Sequence, residues 1–172
     1  MKNIVLIGMP GSGKSTLGVL LAKALGMGFL DTDLVLQKRA GCLLQTLVEV
    51  EGKDGFLDRE RDAILSLEHL ENTVIATGGS AVLREESMKH VKENGVCVYL
   101  SLSYAAVFRR IRNIKTRGIA FGKGETLRDL YRERLPYYKR YADLTLPCGR
   151  LSVEKNVEKL IQLLKNEGYL PK

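Results

Sequence analysis

Ile4-Val5-Leu6-Ile7-Gly8-Met9-Pro10-Gly11-Ser12-Gly13-Lys14-Ser15-Thr16 is an apolar run that feeds a glycine-rich turn, followed by a lysine and two hydroxyls. Gly8, Gly13, Lys14 and Ser15 stand at the fixed positions of G-x-x-x-x-G-K-[ST]. Glycines let a backbone wrap a triphosphate with its N–H groups turned inward and no Cβ in the way. The helix that follows adds positive potential where the phosphates lie. The pattern assigns Gly11, Ser12, Gly13, Lys14, Ser15 and Thr16 to a nucleoside triphosphate. Lys14 is placed to reach the β- and γ-phosphates, and Ser15 to supply an oxygen to Mg2+. An ordinary glycine-rich turn is the alternative, and the strand before and helix after argue against it.

Outward from that stretch, Leu17, Leu20, Leu21, Ala24 and Leu25 recur at helical spacing until Gly26. Gly28-Phe29-Leu30 predicts a short strand that ends in Asp31-Thr32-Asp33. Carboxylates directly after a strand lie at the carboxyl edge of a sheet, where open α/β folds hold their ligands. Asp31 suits Mg2+ held through water, and Asp33 suits an attacking hydroxyl that must be oriented or deprotonated. Either could instead cap the next helix, predicted over 34–39. A short helix around Leu44–Val48, a turn at 51–55 and a charged helix from Phe56 to near Leu70 come next. Val74-Ile75-Ala76 is a strand followed by Thr77-Gly78-Gly79-Ser80, where glycines allow close approach to a ligand. A helix over 84–94, closed by Gly95, and the apolar strand 96–100 lead to a helix with Ser103 as its N-cap. The segment 113–124 loses periodicity, carries three glycines with Lys115, Arg117 and Lys123, and reads as a mobile lid. A helix over 126–141 should kink or break at Pro136. A last strand at 143–146 and an amphipathic helix from Val153 complete the chain. The alternation predicts a single α/β domain over 1–172, with a parallel sheet covered on both faces.

Composition narrows the function classes. Of the net charge of +7, the span 104–140 carries the whole excess, with eleven Lys/Arg against Glu125, Asp129 and Glu133. Such a block serves nucleic acid or small anions. No RNP-like aromatic pattern, helix-turn-helix or zinc knuckle accompanies it, so a small anionic substrate is the expectation and nucleic acid is not. Cys42, Cys97 and Cys148 are unpaired in pattern, which argues against a disulfide framework or a zinc site. No apolar run approaches a membrane span and no secretory signal is read, so a cytoplasmic protein, monomeric and without a membrane partner, is expected.

Taken in order, the motifs resemble the shikimate kinase family over essentially the whole chain. They are the P-loop at 8–16, Phe29-Leu30-Asp31-Thr32-Asp33, Glu51-Gly52 with Phe56 and Glu60, and Thr77-Gly78-Gly79. Thr116-Arg117, Glu133-Arg134-Leu135-Pro136-Tyr137-Tyr138 and Ala142-Asp143 follow. The resemblance implies a three-layer P-loop fold whose five-stranded parallel sheet has the order 2-3-1-4-5, with a mobile lid. It implies ATP as donor and in-line transfer of its γ-phosphoryl group to a ring hydroxyl. By likeness, Asp33, the Gly78-Gly79 backbone and Arg134 would hold the hydroxyls and carboxylate of shikimate. Arg117 would close over the phosphates beside Lys14, and Arg150 would lie against the adenine.

Three positions depart from the family pattern. Leu57 stands where an arginine grips the substrate carboxylate, Ser80 replaces a third glycine, and the lid reads Arg117-Gly118-Ile119-Ala120. A bidentate arginine–carboxylate contact contributes roughly 1.5–3 kcal/mol. Its loss either weakens shikimate binding or marks a pocket turned to another small hydroxylated metabolite. It also leaves Glu60, one helical turn on, without that arginine. Outside this class, a GTPase switch would need N-K-x-D and D-x-x-G, and neither occurs. A regulatory nucleotide-binding module or a nucleic-acid-associated enzyme fits less well, because Lys14, Ser15, Asp31, Asp33 and Arg117 are present together.

Overall fold

The computed structural model describes residues 2–111, 118–149 and 151–171. Five strands form one parallel sheet: β1 (Asn3–Ile7), β2 (Gly28–Asp31), β3 (Thr73–Ala76), β4 (Gly95–Ser101) and β5 (Leu144–Pro147), in the order β2-β3-β1-β4-β5. The register sets Ile4 opposite Val74 and Val96, and Val98 opposite Leu144. β1 is buried along its whole length and β4 at every residue but its ends. Central strands covered on both faces need such unbroken apolar runs.

The helices are α1 (Lys14–Leu25), α2 (Thr32–Ala40), α3 (Leu44–Leu65), α4 (Glu85–Lys92), α5 (Tyr104–Arg110), α6 (Leu127–Tyr141) and α7 (Val153–Asn166). α7 sets Val157, Leu160 and Leu164 into the main core. Tyr138 of α6 stacks on Tyr99 of β4 with ring centroids 5.2 Å apart. None of the described helices is long and apolar enough to cross a membrane.

Several boundaries differ from those the sequence predicts, each for a local reason. The turn expected at 51–55 contracts to Gly52, whose φ of 70° and ψ of −173° break an otherwise continuous α3. Only glycine takes that conformation without strain. α3 also stops at Leu65 rather than Leu70, as the Ser66 N–H closes the last turn on Asp62. α6 runs through Pro136 without interruption, since the exposed outer face there needs no N–H partner from protein and Arg134 and Tyr138 anchor the inner face. Gly95 opens β4 instead of ending α4. Of the expected lid, residues 113–117 lie outside the described residues; Gly118 to Gly124 form a loop whose Ile119 and Ala120 are buried.

A second, smaller apolar cluster lies beside the main core. Leu36, Leu47, Phe56, Leu57, Ala63 and Ala120 join α2, α3 and the 118–124 loop. Lys53 of α3 strengthens this junction with ion pairs to Glu125 at 2.7 Å and to Glu133 of α6 at 3.1 Å. The sheet's carboxyl edge and this appendage are the two walls of a cleft.

Candidate active site

The turn after β1 is shaped by its glycines. Gly13 has φ 94° and ψ 17° at the N-cap of α1, and no side chain caps the helix there. The first turn of α1 contains no acid, and Gly13 to Thr16 line an open cleft toward which the positive end of the helix is set. Lys14 is 8% exposed, and its ammonium donates to the carbonyls of Gly8 at 2.8 Å and Met9 at 3.0 Å. Burial lowers its pKa to about 8, against the raising effect of Asp33 and Asp31.

Asp31 ends β2 and serves two groups at once. Its Oδ1 accepts the Asp33 N–H at 2.9 Å, capping α2, and its Oδ2 accepts the Ser15 hydroxyl at 2.6 Å. The helix-capping alternative and the P-loop contact are thus both realised by one carboxylate. Asp33, in the first turn of α2, faces the cleft, and its pKa rises to about 6 through burial and then the charge of Asp31, with Lys14 opposing.

The turn after β3 forms the floor. Gly78 donates its N–H to Thr32 Oγ1 at 3.0 Å, which commits that donor within the protein. Gly78 therefore has no N–H to spare for a ligand, and its contribution is spatial. A Cβ at Gly78 would lie 2.7 Å from Asp33 Oδ1 and against Glu60 Oε1, so only glycine lets those two carboxylates approach. Gly79 lines the cleft, and its carbonyl accepts the Tyr138 hydroxyl.

Glu60 and Arg134 form the far wall. Arg134 is 1% exposed; one of its nitrogens donates to the Ala120 carbonyl at 3.3 Å, and its Nε finds no acceptor among the described residues. Glu60 is 2% exposed; its Oε2 accepts the Ser80 hydroxyl at 2.7 Å, and its Oε1 finds no donor among the described residues. Burial, reinforced by the Asp33 charge, raises the Glu60 pKa to about 7. Leu57 points away into the second cluster at 3% exposure, between Phe56 and Glu60, which do line the cleft.

The cleft has a volume of about 550 Å³ and brings together Gly11, Gly13, Lys14, Ser15, Thr16, Asp33, Gly79 and Arg134, all anticipated from sequence. Arg117 and Arg150 lie outside the described residues. Two residues escaped the sequence reading. Arg110 of α5 lines the cleft and bridges the P-loop to the turn after β5, donating to the carbonyls of Ser12 at 3.4 Å and Cys148 at 3.1 Å. It was visible only as one member of a basic block. Ser80 was visible as a departure, without any sign that its partner was Glu60.

The family model described as shikimate kinase matches residues 10–165. A shikimate kinase of Haemophilus influenzae (strain PittEE) is 35% identical over 172 residues, covering 98% of this chain and 96% of its own. One from Actinobacillus succinogenes is 37% identical over 168 residues, with 96% of each chain covered. Among solved structures, the shikimate kinase from Acinetobacter baumannii in complex with shikimate superposes with a TM-score of 0.89 at 30% identity, covering 98% of this chain and 95% of that one. With likeness at both levels running nearly end to end, the chain belongs to the shikimate kinase family.

Proposed function

We propose that this protein transfers the γ-phosphoryl group of ATP to a ring hydroxyl of shikimate. The observation that carries the reading is the shared cleft: the P-loop and the uncapped start of α1 face Asp33 and Arg134 across one continuous volume. A triphosphate wrapped by the 8–16 loop would find inward N–H groups and Lys14, whose ammonium would exchange loop carbonyls for phosphate oxygens. Arg110, between the P-loop and the turn after β5, is suited to the nucleoside side. Arg117 and Arg150 keep the roles that family likeness gives them, over the phosphates and against the adenine.

Ser15 and Asp31 meet at 2.6 Å as two hard oxygen donors beside the phosphate site, which fits Mg2+ completed by phosphate and water oxygens. When bound there, Mg2+ neutralises charge on the β- and γ-oxygens. On the acceptor side, Arg134 takes the carboxylate and Gly79 lies beneath the ring. Asp33 orients the reacting hydroxyl and takes its proton as that oxygen bonds to Pγ and the bond from Pγ to the β–γ bridging oxygen breaks. Positioning and charge neutralisation supply most of the rate. The reading is of a monomeric single-domain kinase that works in the cytoplasm, where ATP is abundant.

The packing of Leu57 into the apolar cluster favours a second reading, a different small hydroxylated acid as acceptor. An ADP-coupled assay with MgATP over a panel of hydroxy acids and polyols, shikimate among them, separates the two. Turnover with shikimate at a kcat/KM above all others supports the first reading. Turnover with another panel member and none with shikimate replaces it with the second.

A further inference from the structure

The 118–124 loop is tied both to α3 and to Arg134. Ala120 shares an apolar cluster with Phe56 and Leu57 of α3, and its carbonyl accepts the Arg134 guanidinium at 3.3 Å. Glu125 closes the loop: its Oε2 accepts the Gly122 N–H, and its own N–H donates to the Gly122 carbonyl at 3.1 Å. The other carboxylate oxygen, Oε1, accepts the Lys53 ammonium at 2.7 Å. The same ammonium donates to both oxygens of Glu133 at 3.1 Å, and Glu133 immediately precedes Arg134 on α6. Lys53 follows the Gly52 break in α3, and its side chain is 18% exposed. Burial works against its charge, but the bonds to Glu125 and Glu133 together outweigh it and raise its pKa, so the ammonium persists at neutral pH. One lysine on α3 thus joins the end of the loop to the turn of α6 that carries Arg134.

We infer that Lys53 positions Arg134 for the substrate carboxylate, by neutralising the two acids beside it and holding the 118–124 loop against α3. This rests on the reading proposed above, in which Arg134 takes the carboxylate of the acceptor. Glu125 feels the charge of Arg134 as well as that of Lys53. Stripped of their lysine, Glu125 and Glu133 would draw the guanidinium toward themselves and compete with the ligand for it. The loop would also lose its ionic tie to α3, and the Ala120 carbonyl would no longer be fixed over Arg134. Lys53 touches neither ATP nor acceptor in this scheme, so the phosphoryl transfer step is unchanged.

Steady-state kinetics of the full chain with MgATP and shikimate, alongside hydrogen–deuterium exchange over 118–126, test this. Lys53→Met keeps the aliphatic stem and removes the charge. Its acceptor KM is expected to rise about tenfold, with kcat and the KM for MgATP each within about threefold of wild type. Exchange over 118–126 accelerates while α1 and β1 keep their wild-type rates. Lys53→Arg, which retains the charge, returns the acceptor KM to within about threefold of wild type. Arg59→Met, which breaks a pair with Glu51 on the same helix, leaves these readings unchanged. An acceptor KM unmoved by Lys53→Met overturns the inference. So does one that rises together with the KM for MgATP and with faster exchange across the whole sheet, which would make Lys53 merely structural. A wild type that turns over another hydroxy acid and not shikimate overturns the choice of acceptor alone, and the same comparison is then made with that acid. No turnover with any acceptor overturns both.

Discussion

Arg134→Met separates function from stability more sharply than any other single change in the cleft. The guanidinium is 1% exposed, its one bond to protein among the described residues is a 3.3 Å contact with the Ala120 carbonyl, and its Nε lacks an acceptor. A buried unsatisfied donor costs about 1–3 kcal/mol. Methionine fills a similar volume without it, so the variant gives up one long hydrogen bond and sheds a larger penalty. Against that gain stands the attraction between the guanidinium and the buried Glu60 carboxylate, which Glu60, with its pKa already at about 7, offsets by taking up a proton when Arg134 is lost. The expected change is within about 1 kcal/mol of zero, roughly 2–4 °C in Tm for a chain of this size. Binding should move much further. Losing a charge-assisted, fork-shaped contact to the substrate carboxylate costs about 1.5–3 kcal/mol, which raises KM for the acceptor roughly 10- to 150-fold. Arg134→Lys should rescue little, because an ammonium lacks the planar fork. Calorimetric melting alongside steady-state kinetics reads both effects. A Tm lowered by more than about 5 °C with KM unchanged within twofold would show that Arg134 is structural, and the reasoning fails.

Three further outcomes are expected. Asp33→Asn should lower kcat by about 10²- to 10⁴-fold with KM altered only a few-fold, and a retained kcat in single-turnover measurements would remove Asp33 from the chemistry. Gly78→Ala should abolish turnover while the far-ultraviolet circular dichroism stays native, because the new methyl would displace the Asp33 and Glu60 carboxylates; an active variant contradicts that close approach. Stability should decline as pH rises from 4.5 to 7. The Glu60 pKa is raised to about 7 and that of Asp33 to about 6 in the fold, so their contribution is complete below the unfolded values and is lost as each ionises. For Glu60 the swing is on the order of 3 kcal/mol, and Glu60→Gln should flatten the slope of Tm against pH in that window. An unchanged slope would show that Glu60 does not titrate there.

Much of the fold was legible because local chemistry and the overall architecture agree. The P-loop spacing, the apolar strands and the glycines after β1 and β3 each allow one local structure, and their order matched a known family. What was not legible depended on contacts distant in sequence. Ser80 and Glu60 are 20 residues apart, and only the placement of the β3 turn over α3 joins hydroxyl to carboxylate. The leucine at 57 reads as a lost cation in sequence, whereas in space it is part of a core that also includes Ala120. Arg110 was hidden among ten other basic residues of the 104–140 span until α5 set it against the Ser12 carbonyl. Pro136 misled for the opposite reason: a strong local rule was overridden by α6 burying Arg134 and Tyr138 on its inner face.

Phosphorus-31 NMR of a reaction containing the purified protein, MgATP and shikimate tests the central claim most directly. The account predicts one new phosphomonoester resonance that grows in step with ADP, together with a far smaller signal when Asp33→Asn replaces the wild type. ADP released with inorganic phosphate alone, or a mixture that stays unchanged, would contradict it.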